Sequence, residues 1–108
     1  MIEHQIQTSI MEYLRYAKNV AWAMRANAGK MQVRDGSGRP RWIQFAPAGT
    51  SDIIGMLKGG RMFAIEVKAP ERIRTATTLQ KEFLDKINQC GGIAFIACSI
   101  DDVINNLK

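Results

Sequence analysis

Two short apolar runs joined by a glycine turn constrain this chain more than any other feature of it. Asp52-Ile53-Ile54-Gly55-Met56-Leu57 and Arg61-Met62-Phe63-Ala64-Ile65-Glu66-Val67-Lys68 flank Lys58-Gly59-Gly60. Runs of this length, rich in Ile, Val and Phe and bounded by turn residues, read as strands. A glycine pair supplies the backbone freedom that a tight connection needs, so the two strands should lie side by side. A polar connector follows over 69–76. Over 77–90, Leu79, Phe83, Leu84 and Ile87 line one face of a predicted helix that Gly91-Gly92 ends. Ile93 to Cys98 is a wholly apolar strand. A strand, a helix and another strand in succession imply a crossover with a parallel pair, and hence a mixed α/β sheet.

The remaining elements fill in around that core. Residues 2–18 predict a helix, with Ile2, Ile6, Ile10, Tyr13, Leu14 and Ala17 at three- and four-residue steps and Asn19 as its stop. Val20 to Asn27 predicts a strand, broken at Ala26-Asn27-Ala28-Gly29. Met31-Gln32-Val33 and Arg41-Trp42-Ile43-Gln44-Phe45 flank a Gly- and Asp-containing connector, Arg34 to Pro40, which reads as a hairpin turn or a longer loop. Ser99 can cap a last helix that bears Val103, Ile104 and Leu107. The expected order is α-β-β-β-β-β-α-β-α in a single domain over 1–108. Small domains often gain stability by associating, so a homodimer is expected.

A formal charge of +5 and a pI near 9.6 favour a polyanionic partner, nucleic acid first. No apolar run approaches the ~20 residues that span a bilayer. The N-terminal segment is amphipathic and contains Glu3 and Glu12, unlike a secretory signal. The expectation is a soluble intracellular protein. Cys90 and Cys98 sit among apolar neighbours and form no Cys-x-x-Cys pair, which reads as buried, reduced thiols. With only His4 besides, there is no zinc set.

Acidic residues inside apolar strands are costly unless they are paired or bound to a cation. Alternation along a strand puts Glu66 and Lys68 on one face, with Ile65 and Val67 on the other. Asp52, opening the neighbouring strand, falls near Glu66. Two carboxylates that close repel, and each raises the other's pKa unless a cation lies between them. A hard divalent ion takes oxygen ligands, keeps some waters, and lowers the pKa of a bound one. Lys68 can then orient an attacking water or balance charge on a phosphate. That set suits phosphodiester hydrolysis. The same residues also fit a plain salt bridge of Lys68 with Glu66 or Asp52 on an edge strand.

These residues resemble the PD-(D/E)xK nuclease superfamily. More closely, the chain is similar to the small stand-alone, viral or phage-type VRR-NUC (virus-type replication-repair nuclease) domains. The similarity rests on Gly49-Thr50-Ser51-Asp52, Ile65-Glu66-Val67-Lys68, Gln80 in the following helix, and an acid, Glu3, in the first helix. One departure is Ser51 where the superfamily's name has Pro. The resemblance implies a restriction-endonuclease-like mixed sheet flanked by helices, and Mg2+ or Mn2+ as cofactor. Asp52 and Glu66 would be metal ligands with the Val67 carbonyl, Lys68 the catalytic lysine, and Gln80 and Glu3 active-site residues, Glu3 through water. It also implies branched or junction DNA as substrate. Bland readings stand beside two of these. Gln80 completes a Thr77-x-x-Gln80 capping box, and a Glu at position 3 of a helix is commonly just solvated.

Lys30, Arg34, Arg39 and Arg41 cluster around the hairpin, Arg25 precedes it, and Arg72 and Arg74 follow the Glu66 strand. They are candidates for phosphate contacts, which give affinity without sequence readout. Trp42 makes the hairpin aromatic as well as basic. Three functions are therefore weighed: a metal-dependent DNA endonuclease, a non-catalytic basic nucleic-acid-binding module on the same fold, and a structural protein whose carboxylates form salt bridges.

Overall fold

The computed structural model describes residues 2–26, 30–44 and 46–108. Its elements in chain order are α1 (Glu3–Tyr16), β1 (Val20–Arg25), β2 (Lys30–Arg34), β3 (Pro40–Gln44), β4 (Ile53–Leu57) and β5 (Met62–Val67). A short 3-10 turn (Pro70–Arg72), α2 (Thr78–Gln89), β6 (Ile93–Ala97) and α3 (Ile100–Asn106) follow. The fold class is the mixed α/β expected. A four-stranded sheet runs β1-β4-β5-β6, antiparallel except for the parallel β5–β6 pair, and β2–β3 form a separate two-stranded sheet.

The crossover imposes that topology. Two apolar strands joined by Lys58-Gly59-Gly60 fold back on one another, and β6 can reach β5 only across α2. Alternation then sorts the side chains. Ile53, Leu57, Phe63, Ile65 and Val67 face α1 and α3, packing with Ile6, Ile10, Leu14, Val103 and Leu107. Ala64, Ala94, Ile54 and Ile96 face α2, where Leu84, Phe83 and Ile87 meet them. Both faces of β5 are covered, so it reads as a continuous apolar run. Gly55 lies directly opposite Phe63, and a methyl group there would sit 2.3 Å from the Phe63 ring. The small residue makes room for the large one.

Side-chain bonds seal the ends of the elements. Thr77 caps α2 and Ser99 caps α3, the latter accepting from the Asp102 N–H at 3.3 Å. Asn88 both donates to the Ala94 carbonyl and accepts from its N–H, each at 2.8 Å, tying the end of α2 to β6. Asn19, placed as the stop of the first helix, hydrogen-bonds the Leu107 carbonyl and joins the two ends of the chain.

Several expectations change. Cys90 is exposed and Cys98 partly so, which overturns the reading of both as buried thiols. Cys90 is the residue at which α2 ends, beyond the last turn of its apolar stripe. Leu79 is 52% exposed because it starts that helix ahead of the covered turns. Ile104 is also exposed, while Val103 and Leu107 carry the inner face of α3. The second element ends at Arg25; Asn27–Gly29 and Phe45 lie outside the described residues. Among the described residues, no helix is long and apolar enough to cross a membrane.

Candidate active site

Register brings the two acids together. Ile53 pairs with Ile65 and Ile54 with Ala64. One further step along the same ladder sets Asp52 opposite Glu66, and the Asp52 Oδ2 accepts from the Val67 N–H at 2.8 Å. Asp52 thereby continues the ladder with its side chain just where β4 begins. The loop before it is held in place by Gly49, whose φ is +90° and whose Cα lies against the first turn of α2. A Cβ there would meet the Leu79 carbonyl oxygen at 2.6 Å. Only glycine allows that backbone and that approach together.

Glu66 is 3% exposed and Lys68 8%, both on the α2 side of β5. The Lys68 Nζ stands 3.9 Å from Glu66 Oε1, the outer limit of an ion pair. Glu66 Oε1 also accepts from Gln80 Nε2 at 3.0 Å. Its other oxygen, Oε2, is buried without a hydrogen-bond donor. Burial first, then the neighbouring Asp52 charge, pushes Glu66 up to about 8, against a smaller opposing pull from Lys68. Burial and the second acid thus disfavour the charged form of Glu66, even with Lys68 at the edge of contact.

Gln80 serves two elements at once. Its Oε1 accepts from the Thr77 N–H at 2.9 Å, while its own N–H donates to Thr77 Oγ1 at 3.1 Å, closing a capping box. Because the amide oxygen is committed to the cap, the amide nitrogen must point away from it, toward Glu66. Both readings of Gln80 hold: it caps α2 and it touches the acid.

Glu3 reaches the same end of the sheet from the first turn of α1. Its Oε1 accepts from the Ala69 N–H at 3.4 Å and stands 3.9 Å from Arg72 Nε. The charge of Glu3 adds to the upward push on Glu66. Asp52, Glu66, Lys68, Gln80 and Glu3 thus gather where β5 ends and α1 and α2 begin. Two helix N-termini converge on this end, and both favour negative charge.

Of the basic candidates, Arg72 lies beside Glu3 and Arg74 is exposed nearby in sequence. Arg34, Arg39 and Arg41 are exposed on the hairpin, away from the acids in register and in sheet, and Lys30 opens its first strand. Arg25 donates to Thr8 Oγ1 at 3.1 Å, so it braces β1 against α1. Ser51 stood out in the sequence only as a departure from the superfamily's Pro. It is fully buried and its hydroxyl has no partner. The signal was present in the alternation, since Ser51 stands two residues before the core residue Ile53.

Among the described residues, no three His, Cys, Asp or Glu side chains cluster with metal-ligand spacing. The acids amount to one close pair, Asp52 and Glu66, with Glu3 further out. The chain matches no known family model and no curated protein.

Proposed function

We propose that this protein is a divalent-metal-dependent endonuclease that hydrolyses phosphodiester bonds in DNA, directed by branched or junction-like structure and acting as a homodimer. One observation carries the reading. A carboxyl group is held inside an apolar strand with one oxygen unpartnered, directly opposite a second carboxyl and beside an ammonium. Burying an unpaired acid destabilises a fold, and a cation between the acids removes that penalty. All-oxygen donors suit Mg2+ or Mn2+. Asp52, Glu66 and the Val67 carbonyl would hold the ion, with Glu3 reaching it through water. When bound it would supply Lewis-acid polarisation of a phosphate oxygen and a more acidic water.

The chain's own groups supply the rest. Lys68 sits on the same face as Glu66, where its ammonium can neutralise charge growing on a phosphate oxygen. Gln80 holds the Glu66 carboxyl in one orientation from a capped helix end. Arg72 is drawn to the site by Glu3 and offers an exposed guanidinium to a neighbouring phosphate. A dimer is supported by the α2-side face of the sheet. Trp22 and Met24 on the edge strand β1, with Met62, remain 46%, 50% and 41% exposed beyond the reach of α2.

The test incubates purified protein with Holliday-junction, flap, single-strand and duplex DNA, with Mg2+ or Mn2+ and with chelator. Metal-dependent cutting is expected to fall by several orders of magnitude in Lys68→Ala and in Asp52→Asn, since both act on charge in the transition state. Cleavage that survives either substitution removes the assigned mechanism.

A second reading, a non-catalytic basic module on the same fold, is favoured by the absence of a three-ligand acidic cluster among the described residues. It predicts DNA binding indifferent to Asp52→Asn and no cleavage with any metal.

A further inference from the structure

The β2–β3 hairpin stands apart from the acids and is not part of the main sheet. Its register pairs Gln32 with Trp42, Val33 with Arg41 and Arg34 with Pro40. Alternation therefore sets Trp42, Gln32 and Arg34 on one face. Trp42 is 66% exposed, Gln32 and Arg34 are exposed on its face, Arg39 is exposed at the tip, and Arg41 is exposed on the opposite face. Residues 30–44 hold Lys30, Arg34, Arg39 and Arg41 against the single acid Asp35, a net +3 within a chain of +5.

The hairpin tip is ordered by its own bonds. The Asp35 Oδ1 accepts from the Ser37 N–H at 2.8 Å, the Ser37 hydroxyl at 2.6 Å and the Arg39 N–H at 3.0 Å. Those bonds, the Ser37 hydroxyl first, hold Asp35 below the usual carboxylate range. Its charge is thus committed to the turn. Arg34 Nη1 donates to the Gly38 carbonyl at 2.9 Å, which fixes its guanidinium near the tip. A two-stranded hairpin is only marginally stable alone in water. An indole left open on such an element gains most from a flat partner that covers it.

Cations alone would fit any polyanion. A flat aromatic face beside a cation fits single-stranded nucleic acid best, because an unpaired base offers a π-face and its neighbours offer phosphates. The bases of a closed duplex are already stacked and offer no such face. We propose that the β2–β3 hairpin binds unpaired DNA nucleotides, with Trp42 stacking on a base, Arg34 on the same face holding the adjacent phosphate, and Arg39 and Arg41 adding positive charge from the tip and the opposite face. The assignment rests on the DNA reading of the protein and narrows it: the hairpin selects DNA that carries unpaired bases, such as the arms of a fork.

The experiment uses the full chain in EDTA, so that DNA stays intact, with fluorescein-labelled oligothymidine, an unpaired-arm fork and a blunt duplex read by anisotropy. Trp42→Ala is expected to raise the Kd for oligothymidine and fork about tenfold or more, the loss of one stacked base. On the blunt duplex the change should stay within about twofold, since phosphate contacts persist there. Trp42→Phe should recover most of the loss, and Trp42 is exposed enough for both variants to fold. Equal weakening on all three DNAs, or none on any, overturns the hairpin assignment while leaving the nuclease reading intact. A change in sedimentation of Trp42→Ala without DNA, at unaltered DNA affinity, assigns Trp42 to self-association and overturns it too. Wild-type protein that binds none of the three DNAs also overturns the hairpin assignment, while the nuclease reading is decided separately by cleavage with metal.

Discussion

The site turns on the Glu66 carboxyl, buried opposite Asp52, 3.9 Å from Lys68 and touched by Gln80. Asp52, Glu66 and Lys68 stood out because charge in an apolar run needs a reason, and alternation predicted that Glu66 and Lys68 share a face. The unpartnered Ser51 hydroxyl and the state of Glu66 were not legible, because both depend on what packs over them. In metal-free protein, Glu66 rises from an ordinary 4.5 to about 8 on folding. Between those values the folded chain binds the extra proton, so the stability this group contributes is present below pH 4.5 and lost as pH climbs through 8. Thermal melts in chelator should fall from pH 5 to 9 for wild type, and should fall less for Glu66→Gln, which cannot ionise. Ser51→Ala removes a buried hydroxyl that has no partner. It should raise unfolding free energy by about 1 kcal/mol in urea, and a loss instead would mean the hydroxyl has a partner in solution.

Elements were read correctly where periodicity was strong and misjudged at their margins. The α2 stripe gave a helix, but Leu79 and Cys90 at its two ends proved exposed, because a stripe does not say where the covering sheet stops. The more telling feature is the junction of α2 with the Asp52 loop. Gly49→Ala combines a positive φ with a 2.6 Å approach to backbone, and should destabilise the protein by about 1–3 kcal/mol. Gln80→Glu keeps a residue able to cap α2 but turns a donor toward Glu66 into another acid. Its melting temperature should match wild type near pH 5 and fall further below it by pH 8, whereas Gln80→Ala loses the cap at every pH. Equal pH profiles for the two variants would reduce Gln80 to a capping residue.

At the scale of the whole molecule, α2 leaves part of its side of the sheet uncovered, where Trp22 and Met24 of β1 and Met62 at the start of β5 stay open. If that face is where two copies meet, Met24→Glu should convert the dimer to monomer in analytical ultracentrifugation without lowering the cooperativity of unfolding. A monomeric wild type would discard the dimer. The class of fold could be read from the amino-acid sequence, because hydrophobic period and glycine turns are local properties that chain geometry must obey. The sequence also determined which acids shared a strand face with which lysine. The folded chain adds that Asp52 falls opposite Glu66, that Gln80 and Glu3 arrive there from two different helices, and that the hairpin leaves the main sheet. Those facts depend on strand register and on which surfaces bury one another. Both are settled by packing free energy summed over distant parts of the chain, which no local pattern contains.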